Sequence, residues 1–106
     1  MLVLPIESRT LLVVGPPVPQ YQDRERTQPR IDRDTGEQTV EVPVCLTSDE
    51  GRPQMLRVQL PASGVPQGLA AGQMVKVTGL TVRFGEKDGR PWQMFRATAM
   101  TAVKSA

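Results

Sequence analysis

The sequence predicts an all-β fold, a small five-stranded barrel with long connections between strands 1 and 2 and between strands 4 and 5. Two patterns predict it. Apolar residues recur in short runs with period two, and no long stripe of period 3.6 appears. Ten prolines and nine glycines cut 106 residues into strand-length pieces. At this length the chain has room for one domain, 1–106, with one modest core. Only Tyr21, Phe84, Trp92 and Phe95 are aromatic, so that core must be mostly Val, Leu and Met.

The first strand is the apolar run Thr10-Leu11-Leu12-Val13-Val14-Gly15, ended by Pro16-Pro17. Residues 18–37 then read as a mobile polar loop or hairpin. Its Thr35-Gly36 turn would set Ile31 opposite Val40 and Arg30 opposite Glu41. The second strand alternates, with Val40, Val42, Val44 and Leu46 on one face and Glu41, Pro43 and Cys45 on the other. Pro43 cannot donate to a ladder, which predicts an edge strand or a bulge there. Cys45 reads as a partly covered sheet residue. After the loop Asp49-Glu50-Gly51-Arg52-Pro53, the third strand turns Leu56, Val58 and Leu60 inward. Residues 61–72 form a connector, with at most one helical turn over 65–71 because Pro66 and Gly68 oppose more.

The last third reads as a hairpin of two long strands. Val75 and Val77 share a face, and after Gly79 the apolar set changes parity to Leu80, Val82 and Phe84, as a β-bulge would produce. Asp88-Gly89 is a strong two-residue turn signal. The closing strand would turn Phe95, Ala97, Ala99 and Val103 to one side. Five strands with a weak helical turn between the third and fourth is the layout of an OB-fold, a partly open barrel. An SH3-like barrel and a small β-sandwich fit the same strand count.

Counting outward from Asp88-Gly89 pairs Lys87 with Arg90, Gly85 with Trp92, Arg83 with Met94 and Thr81 with Arg96. The alternate pairs, Val82 with Phe95 and Leu80 with Ala97, are apolar and must face the core. The outer face therefore carries Arg83, Trp92, Met94 and Arg96, with Lys87 and Arg90 at the tip. An indole between guanidiniums is a stacking surface for unpaired bases beside cations that reach phosphates. The competing reading is packing, since an aromatic side chain over a cross-strand glycine is a known device. Tyr21, Arg30 and Arg33 lie in the first long loop, which flanks the usual OB groove and could add a second ring and further phosphate contacts. That loop, 20–37, holds four arginines against five acids and is no electrostatic clamp by itself.

Charge is unevenly divided. Residues 1–72 carry seven Lys and Arg against nine Asp and Glu, and residues 73–106 carry six against two, which points to a localised anionic partner. Histidine is absent and Cys45 is the single cysteine. No disulfide framework, cysteine-based metal site or histidine-based catalytic pair is available. Asp32 and Asp34 lack a third ligand, and no P-loop or dinucleotide-binding glycine pattern occurs. No catalytic residue, metal or cofactor is expected. No signal peptide or membrane-length apolar run is read, so the expected location is the cytoplasm.

Gly72-Gln73-Met74-Val75-Lys76-Val77-Thr78-Gly79, with Arg83 and the Asp88-Gly89 turn, resembles the fourth strand and long hairpin of bacterial-type single-stranded DNA-binding proteins. Residues 11–20 are similar to that family's first strand, and Asp34-Thr35-Gly36-Glu37 to its first long hairpin. The order of elements matches over most of the chain. The resemblance implies an OB-fold, sequence-tolerant binding of single strands and self-association into dimers or tetramers. It also implies nucleic-acid contacts from the two long hairpins, where Arg83, Lys87, Trp92 and Arg96 occupy the second. The chain departs from the family in stopping at Lys104-Ser105-Ala106, without an acidic tail, and in its reduced helix, as a short divergent member would.

The expected activity is thus single-stranded DNA binding, with RNA as a possible substitute, in replication, recombination or DNA transfer. The expected contacts are Arg83, Lys87, Arg90, Trp92, Arg96, Tyr21, Arg30 and Arg33. One rival is a protein-interaction or oligomerisation module anchored by Met55, Met94 and Trp92. Another is a duplex binder that inserts its β-ribbon into a major groove.

Overall fold

A computed structural model describes residues 2–5, 10–46 and 53–103, with side chains for 11–46 and 53–103. The expected loop at Asp49-Glu50-Gly51-Arg52 lies outside the described residues. The fold is all-β. Among the described residues nine strands run β1 (Leu2–Pro5), β2 (Thr10–Val13), β3 (Val18–Pro19), β4 (Thr39–Leu46), β5 (Gln54–Pro61), β6 (Met74–Thr78), β7 (Thr81–Lys87), β8 (Arg90–Arg96) and β9 (Ala99–Ala102). Among the described residues the only helical element is a 3-10 turn at Ala62–Gly64, before the 65–71 stretch where a turn was expected. No helix among the described residues is long and apolar enough to cross a membrane.

The sheet path is β1-β7-β8-β5-β4-β2-β6-β9, with β3 added to β4. Among the described residues its two ends are not joined, so the sheet is open and does not form the five-stranded barrel expected from the sequence. Residues 74–87 supply β6 near one end of the path and β7 near the other, so one stretch of chain serves both. The break between them lies at Gly79, as the parity change predicted. Gly79 has φ +69°, and a Cβ there would lie 2.5 Å from Thr98 Oγ1. The facing strand breaks at the same level, where the Thr98 N–H donates to the Thr78 carbonyl at 2.9 Å. This second break was not anticipated, and it shifts the parity of the closing strand. Met100 is buried and Val103 is exposed, the reverse of the expected order.

Elsewhere period two fixes the core. Val40, Val42 and Val44 of β4 face Leu60, Val58 and Leu56 of β5, and all six are buried. Leu11, Val13, Val75, Val77 and Leu80 complete a core of aliphatic side chains, with Phe95 packed at its margin. Fully burying such a side chain contributes about 1.5–3 kcal/mol. Cys45 is half-buried, as expected.

Pro43 was expected to mark an edge strand or a bulge; the strand is not an edge, since β4 lies between β5 on one side and β2 and β3 on the other. The reason is local. The Pro43 carbonyl accepts from Val14 N–H at 3.0 Å, so its nitrogen points to that same side. β2 ends at Val13, so Pro43 lies just past the last ladder pair of β2 with β4, Val13 with Val44, where a missing donor is tolerated.

The loop expected over 18–37 is laced by hydrogen bonds. Gln20 N–H donates to Thr39 O, Arg30 N–H to Gln20 O and Thr39 N–H to Arg30 O. Its distal register is two residues from the one expected, because Ile31 bridges Gln38 rather than Val40. The turn is wider than the two-residue one counted from Thr35-Gly36: Asp32 N–H donates to Glu37 O at 2.7 Å, which encloses residues 33–36, and Gly36 N–H donates to Asp32 O at 2.8 Å. Val40 instead pairs with Pro19 and Leu60, and Glu41 with Val18 and Gln59.

Candidate nucleic-acid interface

The ribbon of β7 and β8 forms in the register that the turn predicted, with Lys87 opposite Arg90, Gly85 opposite Trp92, Arg83 opposite Met94 and Thr81 opposite Arg96. Asp88 and Gly89 both take positive φ, 52° and 77°, as a two-residue turn between twisted strands requires. On one edge β7 is joined by β1, from Leu2 opposite Phe84 to Pro5 opposite Thr81. On the other, β8 meets β5 in parallel, with Val58 opposite Phe95 and Gln59 opposite Arg96. The ribbon's polar face therefore continues onto the outer face of β5.

Trp92 lies across the ribbon. A Cβ on Gly85 would stand 2.9 Å from Trp92 Cζ2, so one edge of the indole sits directly over the bare glycine backbone. The side chain still leaves 36% of its surface in solvent. Packing and exposure coexist: the glycine steadies one side of the ring and leaves the other open. The indole borders an open hollow of about 800 Å³ with Lys87, Arg90, Pro91 and Met94.

Met94 also borders a second, tighter groove of about 260 Å³ between the ribbon and the turn of the first long hairpin. Arg30 and Arg33 enter it from the hairpin and Arg83 and Arg96 from the ribbon, so four guanidiniums face one lining carboxylate, Asp32. Arg83 Nε is buried there and makes no hydrogen bond to any described residue. Arg30 in turn borders a third hollow, about 290 Å³, with Tyr21, Arg24 and Arg26. Shared lining residues make these three depressions one track. It runs from Trp92, Lys87 and Arg90, through Arg83, Arg96, Arg33 and Arg30, to the half-open ring of Tyr21.

Arg96 stands apart from the other cations on this track. Its Nη2 donates to Asp32 Oδ1 and lies 3.4 Å from Asp34 Oδ2. Asp32 is buried and also accepts from Asp34 N–H at 3.3 Å and Thr35 Oγ1 at 3.1 Å. This carboxylate organises its own turn and ties the turn to β8. Strand parity could place Arg96 on the outer face but could not reveal a partner 64 residues away. Tyr21 is positioned by a second acidic turn, in which Asp23 accepts from the Thr27 and Gln28 amides at 3.0 Å and from the Thr27 hydroxyl. The Thr27 hydroxyl, then the Gln28 amide, lower the pKa of Asp23 below 3.8.

Sequence reasoning did not single out Asp32 as an anchor, nor Gln59 as part of the groove floor. A buried acid in a polar turn leaves no periodic signal. Among the described residues no three cysteine or acidic side chains converge as metal ligands would. No protein-family model matches this chain, and no curated protein matches it.

Proposed function

We propose that the chain binds single-stranded nucleic acid along the track from Trp92 to Tyr21. One observation carries the reading: guanidiniums from two hairpins far apart in sequence converge on one groove whose ends hold the two exposed aromatic rings. Cations at phosphate reach, flanked by open ring faces, suit a flexible polyanion with accessible bases. A duplex hides those faces, and a groove of this size does not admit one.

The same reading takes the fold as an OB-type barrel related to bacterial single-stranded DNA-binding proteins. Its support is the parallel contact of β5 with β8 and the two bent strands that reach both ends of the sheet path. DNA is the proposed natural ligand, with self-association and roles in replication, recombination or transfer following from the family resemblance.

The test is a fluorescence titration with oligo-dT at low salt. Trp92 is the only indole in the chain, so its emission reports the site directly. Quenching on addition of oligo-dT, and weaker quenching by duplex of the same length, is the expected result. Unchanged emission together with unchanged electrophoretic mobility of the oligonucleotide refutes it.

A further inference from the structure

The two carboxylates on Arg96 differ in kind. Asp32 is buried, its side chain 4% exposed, and it holds three partners, two within the hairpin turn and Arg96 on β8. Asp34 projects into solvent, its side chain 83% exposed, and reaches Arg96 at a loose 3.4 Å. The first contact is structural and the second is a surface contact of small energetic weight. Asp34 thus occupies an accessible approach to the guanidinium while giving the fold little.

From this difference we infer that Asp34 is a built-in competitor for phosphate at Arg96, and that a nucleic-acid strand displaces Asp34 while Asp32 keeps its hold. The inference rests on the binding reading above and makes Asp34 a selectivity residue of that site. A carboxylate presents the same paired, anionic oxygens to a guanidinium that a phosphodiester does. An isolated anion gains one contact by displacing it. A strand that also engages Arg83, Arg30 and Arg33 gains several. The self-contact therefore raises the threshold for single anions and leaves a polyphosphate strand able to enter.

The experiment compares wild type, Asp34→Asn and Glu86→Gln for binding a labelled dT oligonucleotide of about 15 nucleotides, near the upper site size of one such fold. Glu86 is an exposed acid on β7 that lines none of the three depressions, so its variant controls for bulk charge. Asp34→Asn is expected to tighten binding about two- to fivefold, the weight of one exposed ion pair, and the gain should shrink as salt rises. Glu86→Gln is expected to leave affinity within error of wild type. Wild type that binds while Asp34→Asn binds no tighter overturns the competitor alone, as does equal tightening by Glu86→Gln. Wild type that does not bind at all removes the underlying reading first, and this inference with it.

Discussion

Salt dependence gives the sharpest measure of the proposed interface. Among the described residues, Arg30, Arg33, Arg83, Lys87 and Arg90 border the two depressions beside the ribbon with no carboxylate partner, whereas Arg96 is held by Asp32 and Asp34. Each phosphate neutralised on a single strand contributes about −0.7 to the slope of log K against log salt. Five available cations predict a slope of about −3.5, which is roughly a hundredfold loss of affinity between 50 and 200 mM salt. Lys87→Ala with Arg90→Ala removes two exposed cations at the ribbon tip, outside the core. The slope should fall to about −2.1, and the loss over the same range to about twentyfold. Anisotropy titrations of labelled oligo-dT at four or more salt concentrations measure both. A slope near zero in wild type, or an unchanged slope in the double variant, refutes phosphate neutralisation by this face.

Four further outcomes follow from the geometry. Trp92→Ala should weaken oligo-dT binding by about 1–3 kcal/mol, the range for one stacked base, with Trp92→Phe retaining most of it; equal affinity for all three proteins in anisotropy titrations would remove stacking from the mechanism. Gly79→Ala should cost about 1–3 kcal/mol in chemical denaturation, because a Cβ would meet Thr98 Oγ1 at 2.5 Å in a left-handed backbone, and an unchanged midpoint would contradict the bend. Arg96→Ala should destabilise the fold by about 1–3 kcal/mol by leaving Asp32 buried without its cation, and much less in an Asp32→Asn background, a double-mutant cycle read by thermal unfolding. The Asp23 turn should be intact above the ordinary carboxylate pKa of 3.8 and should loosen only as pH falls through the lower folded value, because its hydrogen bonds favour the ionised form. Amide shifts of Thr27 and Gln28 followed by NMR would expose the opposite order.

Much of this was readable in advance where one local rule dominates. Period two placed Val40, Val42, Val44, Leu56, Val58 and Leu60 in the core because a sheet with one buried face allows no other register. Asp88-Gly89 fixed the ribbon because that dipeptide adopts two positive φ values at low cost. Features that depend on distant chain were not legible. The interior placement of Pro43 depends on where β2 and β3 leave the sheet. The shifted register beyond Ile31 depends on Asp32 binding its own turn and then Arg96. Edge strand β1 gave no pattern of its own, since four residues are too few to show a period. The convergence of Arg30 and Arg33 with Arg83 follows from tertiary folding and could not be counted along the chain.

The attachment of the ribbon is unequal along its sides. Among the described residues, seven ladder pairs join β7 to β8, but only two, Val58 with Phe95 and Gln59 with Arg96, join β8 to the body of the sheet. Arg96 belongs to that narrow seam and is also the residue bolted to the first hairpin. The ribbon is therefore a stiff arm on a short hinge line, with its fastening at the shoulder and its indole farther out. Small rotations there would widen or narrow the groove between the ribbon and the first hairpin while leaving the arm's own ladder intact.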